Sequence, residues 1–407
     1  MNILLVLNNL YATGGDWSYV KQVYDLYTRH GHKAYFFGQK QKESIVREHE
    51  DYYVEFYDLG KAKHNILNAP VVFSKALYSK EAVIKIKKFI KDFSIDIVQI
   101  NSMHLGVTPS VISAIHSMGI PIVYRILDYT QICPNIHMIR DGKICMECLN
   151  NKFYNCVIHN CKKSFFTSLF VSFEAYFYTL RDDYKLVDMY SFQNNFMRDL
   201  FVSCGYDKTK TIAINNLYDS SSTIPDYSLG KYVLFVGRLE PEKGILTFIK
   251  SAAKNSDIPH VIVGVGSLTE KVVNIAESMP NVSYLGSVWG RDLDERIKGA
   301  RFVVCPSEWE EPSSYVAFQT FACGKPVIAS RKGGLPEVVS DNENGVFFTA
   351  GDVDDLSEKV KDLYYDADKV VAMGKNARII VEENFSPEKY YIQTVQLFEQ
   401  LINNKRN

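Results

Sequence analysis

The chain has 407 residues, long for a single core and suited to two domains of ordinary size. With 46% hydrophobic and 23% charged residues it reads as globular, which excludes a disordered chain, and a net charge of −1 gives no case for a nucleic-acid partner. The charge is divided unevenly: residues 1–216 carry 25 Lys+Arg against 20 Asp+Glu, the remainder 21 against 27. That asymmetry fits an anionic acceptor or a membrane surface facing the first half, and equally an accident of solvated charge.

In chain order, the apolar run Ile3 to Leu7 reads as a buried first strand rather than a signal peptide, because no basic leader or small-residue cleavage site accompanies it. No uncharged apolar run reaches bilayer length, so the expected location is the cytoplasm or the inner face of a membrane. The turn Ala12-Thr13-Gly14-Gly15 follows, then helical spacing from Tyr19 to Tyr27. Strand signals recur at Lys33 to Phe37, Ile95 to Ile100 and Ile120 to Ile126, with a helix over Val107 to His116. Such alternation implies a parallel sheet with right-handed crossovers.

Five of the eight cysteines fall within residues 133–161, as Cys133, Cys145-Met-Glu-Cys148, Cys156 and Cys161. Without a secretion signal this clustering favours metal over disulfides, and Cys145, Cys148, Cys156 and Cys161 have the spacing of a closed structural zinc site; separately buried thiols are the alternative. Beyond Lys162-Lys163 comes an aromatic stretch, Phe165 to Tyr178, suited to a membrane interface or to packing beneath the cysteine segment. Glu81 to Phe93, with four lysines, has the same two readings: a membrane-facing surface or a solvated face.

The polar stretch Asp219 to Gly230 reads as a linker, after which the alternation restarts. Strands are expected at Tyr232 to Val236, His260 to Val265, Val282 to Leu285, Phe302 to Cys305 and Pro326 to Ala329. Helices fit at Leu246 to Lys254, Leu268 to Ser278, Leu293 to Lys298 and Val316 to Ala322. The expected fold is α/β: two Rossmann-like doubly wound sheets facing a cleft, with ligands at the carboxyl ends of the strands. A first domain covers 1–216 with the cysteine insertion 133–161, a linker 217–230, and a second domain 231–386. The helix expected from Pro387 to Asn403 needs another surface to cover.

Three local patterns carry chemistry. Gly237 and Arg238 follow a strand, and Lys243 and Gly244 precede a helix, so two cations and unpaired N–H groups can converge on an anion such as a diphosphate. The segment Pro306 to Glu337 reads P-S-E-W-E-E-P-S-S-Y-V-A-F-Q-T-F-A-C-G-K-P-V-I-A-S-R-K-G-G-L-P-E, with Glu311 in a loop and Gln319 eight residues on. Tyr124-Arg-Ile-Leu127-Asp128-Tyr129 closes a strand of the first half. Together these resemble the family 4 retaining glycosyltransferases of GT-B fold, in which two Glu residues eight apart hold a nucleotide sugar.

The resemblance implies a set of roles. Arg238 and Lys243 would stabilise the departing diphosphate, one such fixed donor accounting for about 3 kcal/mol of barrier, with no metal needed for catalysis. Glu311 would accept hydrogen bonds from sugar hydroxyls, and Gly15, Gly237, Ser314, Tyr315, Val316 and Gln319 would line the rest of the donor site. Asp128 would face the acceptor, or merely cap its loop. The helix from Pro387 would cross back onto the first domain. Gln319 stands where the family has its second Glu, Ser314 where it usually has Gly and Leu127 where it usually has His. The expected activity is transfer of a sugar, with retention, from a UDP- or GDP-sugar to a glycan or lipid-linked acceptor in cell-surface polysaccharide synthesis, with a membrane surface as a further contact. The alternative is a non-catalytic nucleotide-sugar-binding or scaffold protein. Epimerisation of a sugar nucleotide lacks an added acid/base pair.

Overall fold

The structure, a computed structural model, describes residues 1–10, 14–41, 43–56, 76–104 and 106–406. Strands β1 (Asn2–Val6), β2 (Lys33–Phe37), β5 (Ile97–Ile100), β6 (Ile122–Ile126), β9 (Met189–Phe192) and β10 (Thr211–Ala213) make one sheet, in the order β10-β9-β6-β5-β1-β2. Two short pairs lie outside it: β3 (Gln39–Lys40) with β4 (Val54–Glu55), and β7 (Ile139–Arg140) with β8 (Lys143–Ile144). The second sheet contains β11 (Tyr232–Val236), β12 (His260–Val263), β13 (Val282–Tyr284), β14 (Ala300–Cys305), β15 (Val327–Ser330) and β16 (Gly345–Phe348), in the order β13-β12-β11-β14-β15-β16.

Every pairing in the two large sheets is parallel. Parallel sheets are covered on both faces, which is why their strands read as continuous apolar runs. On β1, Leu4 and Val6 belong to one cluster and Ile3 and Leu5 to another. On β14, Phe302 and Val304 face one way, Val303 and Cys305 the other. In both sheets the chain first moves outward on one side, β1 to β2 and β11 to β13, and then returns to the other side. The β1/β5 and β11/β14 boundaries are therefore switch points, where crevices open at the strand ends.

The last helix, Pro387–Arg406, crosses back onto the first sheet. Its Leu397, Phe398, Leu401 and Ile402 complete the cluster around Ile3 and Leu5. The Tyr390 hydroxyl lies 2.5 Å from that of Tyr19, and Lys405 pairs with Asp188 at 3.0 Å. Beneath this helix lies Arg125, almost fully buried and with no carboxylate partner among the described residues. Its guanidinium donates to Ser191 Oγ, to the Phe192 and Ile214 carbonyls and to Asn216 Oδ1, at 2.6–2.9 Å. Burying a charge this way is tolerable because several acceptors replace its hydration.

The polar stretch after Asp219 is tied to the second half. Arg378 donates to the Ser220, Thr223 and Ala322 carbonyls, and Asp226 N to Cys323 O. The lysine-bearing helix Lys80–Asp92 has an ordinary solvated face: Lys85 pairs with Glu81 at 2.9 Å and Lys88 sits over the Tyr52 ring.

Candidate functional site

The carboxyl ends of β11 and β14 lie side by side, and their following loops build the site. After β11 come Gly237 and Arg238, a turn over Pro241–Lys243, and the helix Ile245–Lys254. Gly244 joins turn to helix at φ 71°, and a Cβ there would lie 1.8 Å from the Pro306 carbonyl oxygen. Only glycine lets the two loops approach so closely.

Glu311 is buried, and its carboxylate gathers donors from both loops. Lys243 Nζ lies 2.9 and 2.7 Å from its two oxygens; Ser307 Oγ and Trp309 Nε1 donate to Oε2 at 2.8 and 2.9 Å. A buried carboxylate demands such compensation. Sequence reasoning grouped Lys243 with Arg238, whereas the structure closes Lys243 on Glu311. Arg238 stays accessible, 54% of its side chain exposed, and meets Glu242 at 3.4 Å.

The second glycine loop locks this arrangement. Gly334 N donates to Glu311 O at 2.8 Å and Gly333 N to Glu310 Oε2 at 2.7 Å. Gly333 has φ 56°, and a Cβ on it would sit 2.3 Å from the Glu311 carbonyl oxygen. The pairing of Gly333-Gly334 with the Glu311 segment, suggested by motif alone, thus has a direct physical basis.

Ser314 caps the helix Tyr315–Ala322, its hydroxyl accepting from Ala317 N at 3.3 Å. Tyr315 packs against the cores of both halves, and Val316 against that of the second. Gln319 lies on this helix in the second turn, with its amide donating to Asp294 Oδ1 of the helix Gly290–Gly299 at 2.7 Å. The position expected to carry a carboxylate therefore has one as its immediate neighbour, 25 residues away in sequence.

From the first half, Gly14 and Gly15 open the helix Gly14–Arg29; Ala12 and Thr13 of the same turn lie outside the described residues. Leu127 packs with the first sheet's cluster, and its carbonyl accepts from Gln193 Nε2 at 2.9 Å. Asp128 Oδ1 accepts from Thr130 N at 2.8 Å, so the carboxylate caps its own loop. Tyr129 reaches across to donate to Glu310 O at 2.8 Å, and its ring meets Trp309 edge-on. His137 stacks its edge on the same tryptophan at 5.7 Å. Shielding by the surroundings, then the nearby Arg238 guanidinium, hold the His137 imidazole below the ordinary histidine range. Trp309, Tyr129, His137 and Asp294 were not singled out by sequence. The aromatic-acidic run Trp309-Glu310-Glu311 was the one available signal.

The expected zinc site is not supported. Among the described residues no three or more His, Cys, Asp or Glu side chains are placed to hold a metal ion, and Cys145, Cys148, Cys156 and Cys161 are all free. Cys148 and Cys156 instead form a small core with Phe153, where burial pushes their thiols up to about 12 and about 11. Glu147 ties the segment together by pairing with Arg140 at 2.9 Å and His159 at 2.6 Å.

Two parallel Rossmann-like sheets, a crevice at their switch points and a returning C-terminal helix define the GT-B fold. Solved structures similar over the whole chain agree. The Anabaena protein HepE in complex with UDP covers 98% of this chain, and all of its own length, at TM-score 0.69 and 17% identity. The lipopolysaccharide outer core galactosyltransferase WaaB covers 98% and 100% at TM-score 0.65 and 15% identity.

Residues 225–380 match the family described as glycosyl transferases group 1. An uncharacterized glycosyltransferase of Methanocaldococcus jannaschii is 32% identical over 178 residues, 43% of this chain and 49% of the relative. The alpha-maltose-1-phosphate synthase of Mycolicibacterium smegmatis is 28% identical over 186 residues, 42% and 48% of the two chains. The chain spans about half the length of the curated relatives it matches.

Proposed function

We propose that this protein is a retaining glycosyltransferase of family 4 that moves a hexosyl group from a nucleotide-sugar donor, UDP- or GDP-linked, to a glycan or lipid-linked acceptor. The observation that carries the reading is the buried Lys243–Glu311 pair, held at a switch point between glycine loops beside the accessible Arg238. A scaffold has no need of an ion pair whose desolvation is costly.

The chemistry follows from the charges. As the sugar–phosphate bond breaks, negative charge grows on the leaving diphosphate, and Arg238 offers it a planar two-pronged donor. Lys243 sits within reach of both Glu311 and the loop edge, so it can divide its hydrogen bonds between that carboxylate and a phosphate oxygen. Glu311, held in place by Lys243, Ser307 and Trp309, accepts from sugar hydroxyls and fixes the ring over the acceptor face. The acceptor hydroxyl attacks from the side on which the diphosphate leaves, and a phosphate oxygen takes its proton. No side chain need act as base, which accords with Leu127 where the family usually has His. Gln319 retains a carbonyl oxygen for a ribose hydroxyl while Asp294 holds its amide.

Nucleotide release from a panel of UDP-, GDP- and ADP-sugars, measured with and without membrane extract as acceptor source, tests this. Acceptor-dependent release that falls at least a hundredfold in Arg238→Ala is expected. Binding of a donor without any release would leave the non-catalytic reading, which Leu127 and Gln319 favour.

A further inference from the structure

The helix Phe165–Leu180 is inverted relative to an ordinary surface helix. It turns small and hydrogen-bonded residues inward: Ser172 donates to Phe153 O at 3.0 Å, Ser168 to Asn160 Oδ1 at 3.3 Å, and Tyr178 to the Ala76 and Leu77 carbonyls. Its large apolar residues point out, with Phe165 55%, Phe166 80%, Leu169 46%, Phe173 47% and Leu180 84% exposed. Positions 165, 169, 173 and 180 follow helical spacing and form one stripe. Ile158 and Tyr154, exposed by 67% and 50%, lie on the short helix Tyr154–Ile158 that packs alongside. Scattered exposed hydrophobics are normal, but a contiguous stripe of this kind marks a binding surface.

Its charge says what it binds. From Cys148 to Phe173 the sequence contains Lys152, Lys162 and Lys163 and no Asp or Glu. Lys162 and Lys163 directly precede the helix and take part in none of the ion pairs among the described residues. The helix's one charged side chain, Glu174, is shielded, burial holding its carboxyl up to about 7. No helix among the described residues is long and apolar enough to cross a membrane. An apolar aromatic stripe with lysines at its rim matches the acyl and phosphate layers of an anionic leaflet. A second copy would bring an equally cationic rim, without that complementarity.

We propose that the exposed face of Phe165–Leu180, with Lys162 and Lys163 at its end, docks this protein onto an anionic lipid surface without spanning it. The proposal goes beyond the transfer reading and is independent of it, since a non-catalytic protein would dock equally well.

Flotation of the full chain with vesicles tests it, comparing phosphatidylcholine alone with phosphatidylcholine containing about a quarter phosphatidylglycerol. Wild-type protein should float with the anionic vesicles and bind neutral ones roughly tenfold more weakly. Phe166→Asp with Leu169→Asp, both at exposed positions, should lower binding by about tenfold or more while circular dichroism and nucleotide-sugar binding stay unchanged. Lys162→Glu with Lys163→Glu should remove the preference for anionic lipid. Failure of the wild type to float, or flotation indifferent to Phe166→Asp with Leu169→Asp, would overturn the proposal. So would light scattering that shows a dimer dissolved by those same substitutions, which would assign the face to a second copy.

Discussion

Gln319 and Asp294 share one hydrogen bond of 2.7 Å, and that contact changes what the glutamine means. A glutamate at 319 would set two carboxylates against each other at that distance, and like charges so close cannot both ionise comfortably. Gln319→Glu alone should therefore weaken donor binding by roughly tenfold, while the double change with Asp294→Asn should recover most of it; calorimetric titration with the preferred donor reads both. Glu311 makes the reverse point. Glu311→Gln keeps the volume but leaves Lys243 facing a neutral amide in a buried setting, and should cost about 3 kcal/mol in urea unfolding with turnover falling at least a hundredfold. Unchanged stability would mean that Lys243 finds another partner. Glu311 and the glycine loop were legible because their motif is local. The Asp294 contact was not, because a pairing between two helices leaves no trace in either helix's spacing.

Among the elements, the loop Arg331 to Leu335 is held by backbone geometry more than by side chains. Gly333→Ala must combine φ 56° with a Cβ pressed to 2.3 Å from the Glu311 carbonyl, so the loop has to shift. The expected result is loss of donor binding with the protein still folded, checked by calorimetry and near-ultraviolet circular dichroism. At the start of β12, His260 is buried beside the Ile258 carbonyl, and burial lowers its pKa to about 4. Its neutral form is thus favoured in the fold. Stability from this group is present above the unfolded pKa near 6.5 and falls as pH drops toward 4. His260→Gln should flatten the acid limb of thermal melts between those values. Strands of the second sheet stood out in the sequence because they are covered on both faces and read as unbroken apolar runs. Strands β9, β10 and β16 were missed: Met189–Phe192 contains a serine, Thr211–Ala213 is three residues long, and Gly345 opens the last. The cysteine segment departed in the opposite sense: its spacing suits a metal, but Cys148 and Cys156 serve as core around Phe153, with Cys161 packed against them.

Across the whole molecule, the two halves meet through hydrogen bonds around the site. Tyr129 donates to Glu310 O, Asn194 Nδ2 to Pro312 O at 2.5 Å, and Asn216 Nδ2 to Ser313 Oγ at 3.1 Å. Glu337 of the second half caps the helix Asn195–Ser203 of the first, accepting from the Asn195 and Phe196 amides at 2.9 and 2.7 Å. A carboxylate at a helix N-terminus satisfies unpaired N–H groups and the helix dipole together. Glu337→Ala should speed hydrogen exchange of those two amides about tenfold, and protection left intact would mean that the halves are held elsewhere. The return of the last helix to the first sheet was foreseeable from its amphipathic spacing and the resemblance together. The contacts across the crevice were not, because they depend on how two separately folded sheets face each other.

The central claim is that the Arg238, Lys243 and Glu311 loops turn over a nucleotide sugar. Acceptor-dependent release of nucleoside diphosphate is its most direct measure, made on wild type, Arg238→Ala and Glu311→Gln with the same donor panel. Release by the wild type, lost by a hundredfold or more in both variants, is the predicted outcome. Failure of every donor to bind the folded wild-type protein at millimolar concentration, or release that is equal in all three proteins, would contradict it.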